Sequence, residues 1–71
     1  MHYEEQRLMA QQLAESEKII QRLKSVKTGK EYVACIREIC EWLKKAPIDG
    51  EWQPLGDAYI RMMELAITIA E

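Results

Sequence analysis

Hydrophobic residues recur every three or four positions along most of this chain, which is the period of an α-helix. Two stretches interrupt the period, residues 27–30 and residues 47–54, where glycine and proline make a continuous helix costly. The pattern therefore predicts a single all-α domain over residues 1–71, with helices over about residues 3–27, 30–46 and 54–71. No strand-like alternation competes with this interpretation.

The first predicted helix carries its apolar residues on a narrow seam that contains one serine. The seam follows the alternating steps of four and three that are typical of heptads: Met9, Leu13, Ser16, Ile20 and Leu23. Because a narrow stripe leaves a broad polar face, we expect this helix to be the outer or more mobile element. The sequence leaves open whether it packs across its own chain or is exchanged with a neighbouring copy.

The second predicted helix opens with a capping box. In Thr28-x-x-Glu31 the threonine hydroxyl accepts a hydrogen bond from the Glu31 N–H, and the glutamate reaches back to the start of the helix. The helix has one apolar seam with a shoulder on each side. Its seam is formed by Tyr32, Ile36, Ile39, Leu43 and Ala46, with Val33 and Cys40 on one shoulder and Cys35 and Trp42 on the other.

The third predicted helix is apolar around most of its circumference. One seam consists of Leu55, Tyr59, Met62, Ala66 and Ile69, and a second consists of Ile60, Met63, Ile67 and Ala70. A helix of this kind must be covered on nearly all sides, and one three-helix unit covers each helix on at most two. We therefore expect helices two and three to form an antiparallel hairpin, and the second seam to be the interface of a homo-oligomer.

Charge and composition restrict the function further. The 71 residues include 10 basic and 12 acidic side chains, a net charge of −2 that argues against a nucleic-acid-binding protein. The basic side chains are concentrated between residues 18 and 30, which indicates either a solvated helix end or an anion site. The start of the chain is acidic and no apolar run spans a bilayer, so we expect a cytoplasmic protein without a membrane segment.

The residue types needed for catalysis or metal binding are scarce. His2 is the only histidine, so a base held against a serine has few candidates, and we expect no enzymatic activity and no cofactor. Cys35 and Cys40 are five residues apart in one predicted helix and point in different directions, so they cannot bridge each other. Their spacing is not that of a zinc site, and we expect reduced thiols and no metal.

The stretch from Asp49 to Ile60 resembles a known protein family. It is similar to the second half of the helical hairpin in small phage proteins that sequester cyclic oligonucleotide signals of bacterial immunity, over residues 49–70 and chiefly at Trp52, Leu55 and Gly56. The resemblance implies a non-enzymatic oligomer with nucleotide pockets at its interfaces, in the cytoplasm of a phage-infected host. The residues compatible with such a pocket are Tyr32, Trp52 and Tyr59 for stacking on bases, and Lys27, Lys30 and Arg61 for phosphates.

Two functional hypotheses follow. The first is a non-catalytic helical interaction module that self-associates and binds a partner protein as a regulator, inhibitor or assembly adaptor. The alternative, implied by the resemblance, is a sponge that sequesters a cyclic oligonucleotide or a similar small anionic signal molecule.

Overall fold

The computed structural model describes the backbone of residues 2–45 and 53–71, with side chains over residues 6–45 and 54–71. These residues form three α-helices: α1 (His2–Lys24), α2 (Gly29–Lys45) and α3 (Gln53–Ala70). Within these ranges the chain contains no strand, and the predicted all-α class is confirmed. The helices form an elongated bundle of 42 by 17 by 17 Å.

The helix that holds the bundle together is α1. It packs extensively against both α2 and α3, whereas α2 and α3 contact each other less. The expectation that α1 is the outer element is wrong, because α1 packs against both other helices and Ser16, the polar position of its seam, is buried together with Ile20 and Leu23. The Ser16 hydroxyl donates a hydrogen bond of 2.6 Å to the Leu13 carbonyl, so it enters the core with its donor satisfied. The core side chains are Ile19, Ile20 and Leu23 of α1, Cys35, Ile39 and Trp42 of α2, and Leu55, Ala58, Met62 and Ala66 of α3.

The end of α1 differs from the boundary near residue 27 that the pattern predicts, because the helix stops at Lys24. The backbone N–H of Ser25 donates to the Arg22 carbonyl at 3.1 Å, and the N–H of Val26 donates to the Leu23 carbonyl at 3.3 Å. These three-residue bonds tighten the last turn and satisfy carbonyls that a helix end leaves free. Ser25 adds its own hydroxyl, which lies 3.2 Å from the Arg22 carbonyl.

The predicted capping box is present at the start of α2. The N–H of Glu31 donates to the Thr28 hydroxyl oxygen at 3.1 Å. In return, the Glu31 carboxylate accepts from the backbone N–H groups of Thr28 at 3.1 Å and of Lys27 at 3.0 Å. The cap thus fixes where α2 begins and also binds the turn that leads into it.

Four polar contacts set the rotation of the helices in the bundle. Between α1 and α2, the Trp42 indole donates to the Gln12 carbonyl at 2.8 Å, and Arg22 forms an ion pair with Glu38. Between α2 and α3, the Tyr32 hydroxyl donates to the Ala66 carbonyl at 3.0 Å. Between α1 and α3, Arg61 pairs with Glu17 at 3.0 Å. Each contact identifies which side of a helix faces which neighbour.

Candidate functional site

One side of α2 is turned toward α3 and away from α1. Glu38 contacts α1, while Tyr32 contacts α3. Since consecutive residues are about 100° apart around a helix, Val33 and Cys40 lie beyond Tyr32, farther from α1. Both are exposed, whereas the opposite shoulder of Cys35 and Trp42 is buried in the core. The shoulder of Val33 and Cys40 therefore belongs to the outer surface between α2 and α3.

The same geometry applies to α3. Arg61 contacts α1, whereas the Ala66 carbonyl receives the hydrogen bond from α2. Ile67 lies about 100° beyond Ala66 in the direction away from α1, because it is the next residue of the helix. Ile60 is seven residues from Ile67 and therefore lies on the same face. The second seam predicted for this helix thus lies on the side of the bundle opposite α1.

These two surfaces meet, and we call their combination the apolar face. It consists of Val33, Ile36, Cys40 and Leu43 of α2 together with Ile60, Met63, Ile67 and Ala70 of α3. Ile36, Leu43 and Met63 are half-buried against the core and form its floor.

The outermost side chains of the apolar face are more than half exposed: Val33 at 52%, Ile60 at 52% and Ile67 at 55%. The other exposed large hydrophobic side chains among the described residues, Leu8 and Ile69, lie near the ends of α1 and α3. The three most exposed apolar side chains of this size are therefore all on the apolar face.

Charged residues border the apolar face, with a different sign along each helix. The border on α2 is basic and consists of Lys30, Arg37 and Lys44. The border on α3 is acidic and consists of Asp57, Glu64 and Glu71. All six are exposed, and Lys44 also pairs with Glu41 of its own helix at 3.3 Å. The apolar face therefore has a positive edge and a negative edge.

The structure describes five of the six residues of the predicted nucleotide pocket, and these five do not all lie on one side of the bundle. Tyr32 and Tyr59 are half-buried, and the Tyr32 hydroxyl is already bonded to α3. Arg61 is two residues from Tyr59, which places it on the other side of α3, where it pairs with Glu17. Trp52 lies outside the described residues. The pocket stays a prediction from the resemblance.

The basic residues at the start of α2 also have an acidic neighbour. Lys27 and Lys30 are exposed at this end, where free backbone N–H groups could attract an anion. The Glu31 carboxylate already accepts hydrogen bonds from the N–H groups of Lys27 and Thr28. These bonds place a negative charge of the chain itself beside any anion that binds at this end of α2.

A groove of about 370 Å³ lies between α1 and α2 on another side of the bundle. Ile19 and Trp42 contribute its apolar part. Its borders mix basic side chains (Lys18, Arg22, Arg37 and Lys45) with acidic ones (Glu15, Glu38 and Glu41). This mixture favours contact with a polar protein surface over selective binding of an anion.

The two thiols have different environments. Cys35 is buried, and burial together with the nearby Glu38 carboxylate raises the pKa of its thiol. Cys40 is exposed on the apolar face. Among the side chains of residues 6–45 and 54–71, no group of three metal-ligating residues comes together. No helix within residues 2–45 and 53–71 is long and apolar enough to cross a bilayer.

Comparison of the chain with known protein families, with curated proteins and with solved structures gave no match. The apolar face with its charged borders is the most distinctive surface of the described residues.

Proposed function

We propose that this chain is a non-catalytic interaction module that self-associates through the apolar face and acts on a partner protein as a regulator, inhibitor or assembly adaptor. The observation that carries the proposal is the exposure of Val33, Ile60 and Ile67, each above half, on one side of the bundle. Monomeric proteins rarely expose a contiguous apolar patch of this kind, and such patches mark sites of association.

The proposal includes an antiparallel hairpin of α2 and α3, with α1 packed along one side of it. The bond from Tyr32, early in α2, to Ala66, late in α3, supports this arrangement. Since α1 covers one side of the hairpin, the opposite side has no covering helix among the described residues. The predicted interface residues Ile60, Met63, Ile67 and Ala70 lie on that opposite side.

The energetics favour covering this face. Moving a half-exposed isoleucine or valine out of water contributes about 1 kcal/mol at roughly 25 cal/mol per Å². Three such residues on each copy contribute a few kcal/mol per subunit, which is a large fraction of the roughly 5 kcal/mol stability of a small domain. Self-association then stabilises the fold as well as the assembly.

The proposal contains no catalytic step. The side chains of the apolar face are hydrocarbons and thioether, apart from the Cys40 thiol, and offer no acid or base. The mixed-charge groove between α1 and α2 shares only Arg37 with the borders of the apolar face, so self-association leaves most of this groove free for a partner protein.

The test is a charged substitution on the face with a matched control on the same helix. Ile67→Asp places a carboxylate on the apolar face, so we expect loss of self-association at concentrations where the wild type associates. The control is Thr68→Asp, because Thr68 lies next to Lys24 and Arg61 on the α1 side of α3. Native mass spectrometry and light scattering over a concentration series measure the copy number, and circular dichroism verifies helicity.

Two results would contradict the proposal. One is a wild-type chain that stays monomeric at the highest concentration studied. The other is an Ile67→Asp variant that is helical and associates as strongly as the Thr68→Asp control.

A further inference from the structure

We infer that the apolar face is covered by a second copy of this chain, with α2 of each copy lying over α3 of the other. The two copies are then related by a twofold axis parallel to the helices. This inference rests on the proposed function, since it presupposes that the face self-associates. It adds the identity of the occupant and its orientation.

The apolar seams of α2 and α3 have the same spacing. On α2 the seam residues are Val33, Ile36, Cys40 and Leu43, and on α3 they are Ile60, Met63, Ile67 and Ala70. Both sets follow steps of three, four and three, which is the a and d pattern of a heptad. Seams with matching periods interdigitate when two helices lie along each other, so either helix fits against either seam of a second copy.

The charged borders occupy one and the same heptad position on both helices. Lys30, Arg37 and Lys44 are seven residues apart, and each of the last two directly follows a seam residue. Asp57, Glu64 and Glu71 are likewise seven residues apart on α3. Charges at the positions beside a heptad seam determine which helices pair and in which orientation. The basic border of α2 and the acidic border of α3 can therefore determine how two copies are oriented relative to each other.

Two twofold arrangements bring the apolar faces of two copies together. If the axis runs across the helices, α2 lies over α2 and α3 over α3, so that basic borders face each other and acidic borders face each other. If the axis runs along the helices, the basic border of each copy faces the acidic border of the other, and both edges are complementary. Juxtaposed like charges are strongly disfavoured at interfaces, and this selects the second arrangement.

The positions of the charged residues along the bundle axis agree with this orientation. The Tyr32–Ala66 bond places these two residues at the same height. An axis parallel to the helices leaves that height unchanged in the second copy. Arg37 of one copy then lies at the height of Arg61 of the other, between Asp57 and Glu64, and long basic side chains can reach either carboxylate.

The size of the face predicts a modest affinity. Helices of 17 and 18 residues are about 25 Å long at 1.5 Å per residue. With a bundle width of 17 Å, a pair of copies covers roughly 850 Å² in projection, below the roughly 1,200 to 2,000 Å² of stable specific complexes and in the range of weak, transient ones. Because exposed charges contribute to the pairing, we expect salt to weaken it.

The experiment reverses the charge of one border at a time. The first variant carries Lys30→Glu and Arg37→Glu, which leaves only Lys44 basic and makes the α2 border net acidic. The second carries Asp57→Lys and Glu64→Lys, which leaves only Glu71 acidic and makes the α3 border net basic. We expect each variant alone to have a dissociation constant raised by about tenfold or more, since attraction becomes repulsion at both edges. An equimolar mixture should recover wild-type affinity as a mixed pair, detected by native mass spectrometry.

The matched control carries all four substitutions, which reverse the net charge of each border and leave the net charge of the chain as in the wild type. It should self-associate as the wild type does. The inference is overturned if either single-border variant is helical and associates with wild-type affinity. A twofold axis across the helices predicts that result, because borders of like charge then face each other in the wild type and in both variants.

Failure of this inference can be told apart from failure of the proposed function. Loss of association in Ile67→Asp, together with unchanged association in both single-border variants, overturns the orientation and leaves self-association through the apolar face in place. Unchanged association in Ile67→Asp overturns both.

Discussion

The indole Nε1 of Trp42 donates a hydrogen bond of 2.8 Å to the backbone carbonyl of Gln12, across the contact between α2 and α1. Trp42 is only 2% exposed, so this bond gives a buried donor its acceptor. The Gln12 side chain is buried as well, and its Oε1 has no hydrogen-bond partner among the residues that the structure describes. The side chains of Trp42 and Gln12 are thus both buried at the contact between α1 and α2.

Trp42→Phe should lower the free energy of unfolding by about 2 kcal/mol, because it removes the indole hydrogen bond and leaves part of the ring volume empty. Urea denaturation followed by circular dichroism measures the change. Lys45→Ala, an exposed position on the same helix, should change the free energy by less than about 0.5 kcal/mol. Equal stabilities of the two variants would contradict the burial of Trp42.

Tyr32→Phe should lower the free energy of unfolding by about 1 kcal/mol, because it removes the hydroxyl that links α2 to the Ala66 carbonyl in α3. Tyr59→Phe is a matched control, because Tyr59 is also half-buried and its hydroxyl has no such bond among the described contacts. Thermal unfolding of the two variants at equal concentration should show the lower midpoint for Tyr32→Phe. The reverse order would refute the link between α2 and α3.

Thr28→Ala should lower stability by about 1 kcal/mol, because the hydroxyl that accepts the Glu31 N–H is lost from the cap of α2. The control is Thr68→Ala in the interior of α3, where the hydroxyl only bonds back to the Glu64 carbonyl and alanine is the better helix former. Chemical denaturation should therefore rank Thr28→Ala below both the wild type and the control.

The two cysteines should react at different rates with a disulfide reagent. Burial raises the pKa of the Cys35 thiol and hides it from solvent, whereas Cys40 is exposed. We expect one fast thiol, which the Cys40→Ser variant lacks, and one slow thiol. If self-association covers the apolar face, the fast rate should also decrease as protein concentration rises.

Alkaline pH should destabilise the fold through Cys35. Because burial raises the pKa of this thiol in the native state, the unfolded chain loses the proton at a lower pH. Stability is therefore constant below the ordinary thiol pKa and decreases as pH rises through the native value. Denaturation across this range should show a smaller decrease for Cys35→Ala than for the wild type.

The sequence was sufficient to predict the helices, the capping box and the second seam of α3. It was not sufficient for the position of α1, because the narrow apolar seam, interrupted by Ser16, indicated a broad solvated side. Ser16 is buried with its hydroxyl bonded to the Leu13 carbonyl, and the Gln12 carbonyl accepts a bond from Trp42, 30 positions farther along the chain. Hydrophobic periodicity reports neither contact.

The contribution of α2 to the apolar face also could not be predicted fully from the sequence. Val33 and Cys40 could be assigned to one shoulder of the helix from their spacing. Which shoulder faces outward depends on contacts of Glu38 and Tyr32 with two other helices, and these are tertiary interactions. The proposed basic and acidic borders become visible only when both helices are oriented in this way.

The central position of α1 has a consequence for synthesis on the ribosome. Its ion pair with α3 joins Glu17 to Arg61, 44 positions later. While a growing polypeptide has not yet reached α3, the buried side of α1 has only α2 to shield it from water. We therefore expect the nascent chain to pass through a stage at which α1 is incompletely protected and accessible to proteases and chaperones, until α3 emerges.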